Sequence, residues 1–550
     1  MKMDIVQLDT FSRTSSDFKS GDSNGASVAT NDLTMNLLLD EEIEHVHILN
    51  SDERNADRDH RMLDDIVPHA LRNRISNCYA DDLVGFGATD KSFLGLTSFP
   101  GFTAISESLG AASLSIPICS LVHAIPFPSM SSRFLYHHLV STPADTVIVT
   151  SDAGRTAMEN VFSQIDEVLR ARGFSSSPVS SSRPSMHVVP LGVDAKMLRT
   201  VDKHVARDVL ELPTDGVYVL YNGRLNPAYK ADLEPLIRSV AHIKEKFNNV
   251  RLLIAGNAED KGYETALRLL ARECSLADNV EFRLNFPNYL KRYIYGCADI
   301  FVSPVDNIQE TFGLSIIEAM ACGLPVVAPN WSGYRELIAD EESGFLVDTW
   351  IRPSNIEAIN ITGAASRNLD GERLMAASTI IDAEQLAERI SLLIGSAELR
   401  CSMGNKGHQI VTEKYTWNVV MKKFISIWND QIQIASAMQD RRSFIDLRRT
   451  FGCFAQASSV LEDLYAYCPL STAIELNRLA KTVNKDKSAP DSSICLDYEA
   501  LVDPFGLRDV LDFDPATGIR LVKLLKRGLL KIERPSNSLS PRSQPADHRV

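Results

Sequence analysis

The sequence has no CxxC pair: its nine cysteines stand far apart, from Cys78 to Cys495. That argues against a zinc module and a disulfide framework, and a reducing compartment fits the scatter better. No metal site is expected. The chain also lacks an excess of positive charge. Its 57 Lys and Arg face 71 Asp and Glu, for a net charge of −14. A general nucleic-acid surface is therefore excluded, and any phosphate must be held by a few placed cations. The first residues, MKMDIVQLDTF, lack a basic segment followed by a continuous apolar stretch, so they read as a strand rather than a signal peptide. A long unbroken apolar run is missing as well. No Asp, Glu, Lys or Arg falls between Glu107 and Arg133, but serines, His123, Pro117, Pro126 and Pro128 interrupt the stretch. A spanning helix needs about 20 predominantly apolar residues, so a buried parallel strand is the better reading. A cytoplasmic protein is expected, with contact at a membrane surface left open.

What is present is ordinary globular composition, 44% hydrophobic and 23% charged over 550 residues, enough for two to four domains. Strand and helix signals alternate in two blocks. In the first, strands are expected at Asp4–Leu8, His45–Leu49, Asp82–Phe86, Ile116–Val122, Thr146–Thr150 and His187–Pro190. In the second they fall at Val217–Tyr221, Val250–Ala255, Val280–Arg283, Ile300–Ser303 and Pro325–Ala328, with helices at Leu233–Phe247, Tyr263–Cys274 and Tyr289–Cys297 between them. Such alternation means βαβ units and parallel sheets. Two Rossmann-like domains follow, residues 1–195 and 196–410, with the boundary near Val193–Lys203. A helix over 411–431, a mostly helical extension over 432–534 and a Ser- and Pro-rich tail over 535–550, expected to be disordered, complete the chain.

The most informative segment is QETFGLSIIEAMACGLPVVAPNWSGYRELI, residues 309–338. Thr311, Phe312 and Gly313 introduce a helix from Leu314 to Cys322, and Gly323 ends it. A helix N-terminus favours a phosphate, and Gly313 lets backbone N–H groups approach one closely. Glu310 and Glu318 suit sugar hydroxyls as acceptors. Their eight-residue separation corresponds to about 12 Å of helical rise. A glycosidase pair stands roughly 5–9.5 Å apart across one bond, so two different sugar rings fit better. A second segment, YNGRLNPAYKAD, follows the first strand of the same block. Gly223 permits a tight turn there, and Arg224 and Lys230 place two cations where ligands bind open parallel sheets. An arginine fork and a lysine point charge together suit a diphosphate.

Together these residues resemble the retaining family 4 glycosyltransferases, the glycosyl transferases group 1, which have the GT-B fold. The resemblance covers roughly residues 1–430 and is strongest from Val217 to Val347. It implies two Rossmann-like domains with parallel sheets facing across a cleft. It further implies a hexosyltransferase that works with retention and without metal on a nucleotide-diphosphate sugar. That sugar is a substrate, so no cofactor is expected. The acceptor would be a glycan, a lipid-linked or another hydroxyl compound, as in polysaccharide biosynthesis. The family's Glu-x7-Glu motif matches Glu310, which would contact the donor sugar, and Glu318, which would contact the ribose. Its diphosphate-gripping pair matches Arg224 and Lys230, at an interval of six residues where five is usual. Thr311, Phe312, Gly313 and Leu314 would line the donor site with Gly223. His123, after the apolar strand, would face the donor sugar, and Gly25 would lie in the family's glycine-rich turn, although no Gly-Gly pair stands there. PLGVD at 190–194 resembles the domain junction, SGFLV at 343–347 a late turn, and Trp417–Trp428 a helix crossing back to the first domain.

Two rival readings keep the fold, since fold alone does not fix chemistry. One is a sugar-nucleotide epimerase or phosphorylase; the other is a non-catalytic binding protein that uses the long C-terminal extension. The DxD triplets at Asp57–Asp59 and Asp512–Asp514 are set aside, because neither ends a strand of the core. His137 and His138 are read as decorating a helix.

Overall fold

A computed structural model gives the fold. It describes residues 2–8, 25–50, 67–87, 89–98, 102–125, 131–173, 184–194, 201–308, 310–351 and 370–438, with three short strands past residue 444. Residues 1–444 form one compact unit and 445–550 another. In the second unit the described residues are Tyr465–Tyr467, Phe505–Gly506 and Lys531–Glu533, paired as an antiparallel sheet. Of the expected helical extension, residues 432–437 continue the helix Trp417–Ala437; these strands aside, its remainder beyond residue 438, the tail and both DxD triplets lie outside the described residues.

The first lobe of the large unit is a seven-stranded sheet. Its strands are β1 (Met3–Leu8), β2 (Ile43–Leu49), β3 (Ile75–Cys78), β4 (Phe93–Ser98), β5 (Ile118–Val122), β6 (Thr146–Val149) and β7 (Ser185–Val188). They run parallel in the order β3-β2-β1-β4-β5-β6-β7. The uncharged stretch after Glu107 supplies β5, buried at all five residues. Among the described residues no helix is long and apolar enough to cross a membrane. Two expectations fail here. Asp82–Phe86 is not a strand but part of a helix, Ala80–Phe86, whose start is pinned where the Asp82 carboxylate accepts the Tyr79 N–H at 2.8 Å. The central strand β4, FLGLTS, was not expected. Short apolar runs leave helix and strand ambiguous, and Gly95 interrupts this one.

The second lobe is a six-stranded parallel sheet: β8 (Val217–Asn222), β9 (Val250–Gly256), β10 (Val280–Leu284), β11 (Ile300–Val302), β12 (Val326–Pro329) and β13 (Gly344–Val347), in the order β10-β9-β8-β11-β12-β13. The SGFLV segment is thus an edge strand against β12 rather than a turn. Near-continuous apolar strands are what a parallel sheet covered on both faces requires. β8 is buried at five of its six residues. The helix Glu234–Lys246 covers the sheet with Leu236, Ile237, Val240 and Ile243, a helical spacing.

The lobes are tied by the chain crossing between them. The Val193 N–H donates to the Tyr415 carbonyl at 2.8 Å. The helix Trp417–Ala437 then packs on the first lobe: Val420, Phe424 and Trp428 share one apolar cluster with Met3, Ile5, Leu37 and Leu121.

Candidate functional site

In the second sheet the strand order reverses between β8 and β11, which are direct neighbours. Ligands of open parallel sheets bind at the carboxyl edge of such a switch point. The loop leaving β8 carries Gly223, Arg224 and Lys230, and the loop leaving β11 carries Glu310 to Gly313. The fold therefore sets the two segments side by side, although 80 residues separate Lys230 from Glu310. The Lys230 ammonium donates to the Glu310 carboxylate, and both side chains are mostly buried.

Arg224 is held by groups of its own lobe. Its guanidinium pairs with Glu259 at 3.4 Å and donates to the Tyr229 carbonyl at 3.2 Å. Glu259, which follows β9, holds the fork. The turn at Gly223 is close-packed. Gly256, at a φ of +128°, lies where a Cβ would stand 1.8 Å from the Gly223 carbonyl oxygen. The loop itself is anchored twice. Asn226 Oδ1 accepts the N–H groups of Ala228 and Tyr229 at 3.0 and 3.1 Å, and Asn307 Nδ2 donates to the Ala228 carbonyl at 2.6 Å. Trp331 in turn donates to the Asn307 carbonyl at 3.2 Å. Beside it, burial pushes the Asp306 carboxyl up to about 7, with Asp232 adding to the rise.

Gly313 is the N-cap of the helix Leu314–Ala321 and has a φ of +112°. A Cβ there would stand 2.5 Å from the ring of Tyr334, a fully buried residue. Gly313 has no side chain to cap this helix end, and the Ile316 N–H turns back to the Gly313 carbonyl at 3.0 Å, which leaves the N–H groups of Leu314 and Ser315 to meet an acceptor. The helix is buried from Ile316 to Ala321, and Glu318 is its single acid. Glu318 receives the Lys291 ammonium on Oε1 and the Tyr295 hydroxyl on Oε2, the latter at 2.7 Å. Leu314 is half-buried against the second-lobe core.

Thr311 faces the first lobe. Its hydroxyl donates to the His123 carbonyl at 2.9 Å and meets the Thr150 hydroxyl at 3.1 Å. Phe312 is buried edge-on to Tyr415, 6.1 Å between ring centres. His123 is half-buried overall, but both ring nitrogens are enclosed, without a hydrogen-bond partner among the described residues. Burial pushes its pKa down to about 4, so near neutral pH the ring is uncharged and presents one donor and one acceptor. Gly25 opens the helix Gly25–Leu39, and the loop before it lies outside the described residues.

Several groups of this region escaped the sequence reading: Glu259, Lys291, Tyr295, Asn307, Asp32 and Glu336. The Glu336 carboxylate accepts the N–H groups of Asp152 and Ala153 at 2.8 and 2.9 Å, so a second-lobe acid caps a first-lobe helix. A cavity of about 310 Å³ opens at this seam, lined by Thr150, Ser151, Phe312, Gly333, Glu336 and Tyr415 among others. Lys230, Glu310 and Glu318 do not line it.

Asp32 gives a test by pH. Burial raises its carboxyl to about 6; Lys291 opposes the rise, while Glu318 and Asp194 add to it. Between pH 4 and 6 the unfolded chain releases a proton that the folded chain retains, so this group lowers stability as pH rises through that window. Asp32→Asn is expected to unfold at higher urea than wild type at pH 7.5, by on the order of 2 kcal/mol, and to converge with it at pH 4. His123 acts in the opposite sense, its contribution falling as pH drops from 6.5 towards 4, but it is common to both proteins. An equal gap at both pH values would contradict the assignment.

Seven- and six-stranded parallel sheets joined by a returning helix, with a charged site at the second switch point, are the GT-B architecture. Solved structures agree on the fold. Sucrose-phosphate synthase from Thermosynechococcus elongatus superposes with a TM-score of 0.53 at 18% identity, over 80% of this chain and all of that one. Anabaena HepE in complex with UDP and glucose does so with a TM-score of 0.52 at 16% identity, over 78% of this chain and all of that one. Residues 202–360 match the family described as glycosyl transferases group 1, so the second lobe carries the domain of that family, as the sequence motifs implied. Over 164 residues the chain is 37% identical to a D-inositol 3-phosphate glycosyltransferase of Segniliparus rotundus, covering 30% of this chain and 36% of that protein. Over 172 residues it is 36% identical to its counterpart in Mycolicibacterium smegmatis, covering 31% and 38%. The chain thus matches well under half the length of these relatives.

Proposed function

We propose that this protein is a retaining, metal-independent glycosyltransferase that moves a sugar from a nucleoside diphosphate to a hydroxyl acceptor, a glycan or a lipid-linked compound. One observation carries the reading: Lys230, on the loop of Arg224, pairs with Glu310, three residues before the glycine N-cap of the helix Leu314–Ala321. That is a cation, an acceptor and open N–H groups at the carboxyl edge of a switch point, the set that a diphosphate with an attached sugar needs.

In the reaction, the bond between the anomeric carbon and the diphosphate oxygen breaks. The departing charge is met by Lys230, by Arg224 turned away from Glu259, and by the N–H groups after Gly313. The acceptor hydroxyl forms the new bond on the same face, and its proton goes to the leaving phosphate. Glu310 and the neutral His123 ring hold the sugar hydroxyls, and Glu318 holds the ribose. Closing the lobes excludes water and suppresses hydrolysis of the donor.

The first test is a thermal-shift panel of nucleotide sugars, since a true donor stabilises the folded state. UDP-glucose leads the panel because structures of Anabaena HepE contain UDP, glucose and UDP-glucose. Product analysis with and without acceptor separates transfer from epimerisation. Glu318→Ala is expected to weaken binding of the selected donor about 10- to 100-fold by calorimetry, the size of a lost hydrogen bond to a charged group. An unchanged affinity would remove the ribose role.

A further inference from the structure

We propose that Lys291 and Tyr295 are positioning residues that hold Glu318 as a two-point acceptor for the vicinal hydroxyls of the donor's ribose, and so set the preference for ribo- over 2′-deoxyribonucleotides. The inference rests on the ribose role of Glu318 given above.

Glu318 projects from a helix whose other buried residues are all apolar, and it is only 6% exposed. A carboxylate so enclosed must be paired. Its pairing is divided between its two oxygens: Lys291 takes Oε1 and the Tyr295 hydroxyl takes Oε2 at 2.7 Å. Each carboxylate oxygen has two lone pairs, so one site on each remains. Two acceptor sites about 2 Å apart on one rigid group match two adjacent hydroxyls and cannot both be filled by a deoxy sugar.

The direction of the Tyr295 proton is itself fixed. Asn222 Nδ2 donates to the phenol oxygen at 3.0 Å, and of the two acceptors in reach of the O–H the Glu318 carboxylate at 2.7 Å is nearer than the Ser315 carbonyl at 3.5 Å. Burial, with Glu318 beside it, raises the Tyr295 pKa well above the ordinary value, so the phenol stays a donor. Asn222 is the last residue of β8, two positions before Arg224. The chain Asn222–Tyr295–Glu318–Lys291 therefore ties the ribose acceptor to the strand end that carries the diphosphate arginine. Simple neutralisation of a buried acid would need Lys291 alone. The second, oriented donor on the other oxygen is what a positioning role adds.

The test uses the full chain and calorimetry with a matched pair of probes: UDP, GDP or ADP, as selected by the thermal-shift panel, and its 2′-deoxy form. Wild type is expected to favour the ribo form about 10- to 100-fold. In Lys291→Met and in Tyr295→Phe that ratio should fall to within about threefold of unity, with Lys291→Arg restoring most of it. Tyr295→Phe keeps the ring in the core and serves if Lys291→Met fails to fold. Should both variants keep the wild-type ratio while Glu318→Ala loses it, the positioning role falls and the ribose role of Glu318 stands. Should Glu318→Ala keep the ratio, the ribose role falls and this proposal falls with it.

Discussion

Arg224→Ala should lower turnover at saturating donor about 100- to 1,000-fold, the loss typical of removing one group aimed at developing charge. The guanidinium stands partly exposed on the β8 loop and is not in the apolar core, so the variant should fold. Its partner in the structure is Glu259 at 3.4 Å, a long pairing in a partly solvated place that contributes little. A diphosphate offers the same fork a shorter, doubly charged partner. Exchanging one for the other is favourable and places the cation beside the bond that breaks. Arg224→Lys keeps the charge but loses the fork, so it should fall between Ala and wild type. Single-turnover rates with the donor from the thermal-shift panel measure the effect directly. A turnover of Arg224→Ala near wild type would leave Lys230 and the helix end as sole stabilisers of the leaving group, and the proposed division of labour would be wrong.

Most of the second sheet was legible because β8, β9, β11 and β12 are apolar at nearly every position and the helix Glu234–Lys246 keeps a 3.6 period. The expected strands Val217–Tyr221 and Val250–Ala255 match β8 and β9 to within a residue at their C-terminal ends. The first sheet was less so. There β4 carries a glycine in mid-strand, and the DLVGF run is short enough to suit either a helix or a strand. Tertiary pairing with β1 and β5 settles β4 as a strand, and one carboxylate settles the other as a helix. At the site, motif spacing placed Glu310, Lys230, Thr311 and Gly313 in a single neighbourhood. It did not reveal which groups of this chain they pair with. Lys291 and Tyr295 sit in a helical pattern that reads as ordinary amphipathic cover, and only the approach of that helix to Leu314–Ala321 turns them toward Glu318. Glu336 reads as a surface acid until the lobes are assembled, when it caps a helix of the other lobe. Pairings between elements distant in sequence leave no local trace, and the interlobe contacts are all of this kind.

Trp428→Ala is expected to destabilise the protein by about 3–5 kcal/mol, the cost of emptying a large aromatic site in a packed core. Trp428 is fully buried, with the Phe424 ring 5.2 Å away. Its cluster draws on both ends of the large unit: Met3, Ile5 and Ile43 from the first strands, and Val420, Phe424 and Ile432 from the returning helix. The second-lobe core is a separate cluster, to which Val193 and Tyr415 at the crossing belong, so the cavity should be felt first by the first lobe. Trp350→Ala is the matched control: that side chain is half exposed, and its loss should change stability by no more than about 0.5 kcal/mol. Urea unfolding followed by circular dichroism compares the two. If Trp428→Ala unfolds within about 1 kcal/mol of wild type, the returning helix is not part of the first-lobe core. The two lobes would then be held by the backbone crossing at Val193 and Tyr415 and by polar contacts such as those of Thr311 and Glu336. Those polar seams are few and short, so closure over a donor would depend on the linker and not on a helix anchored in both directions.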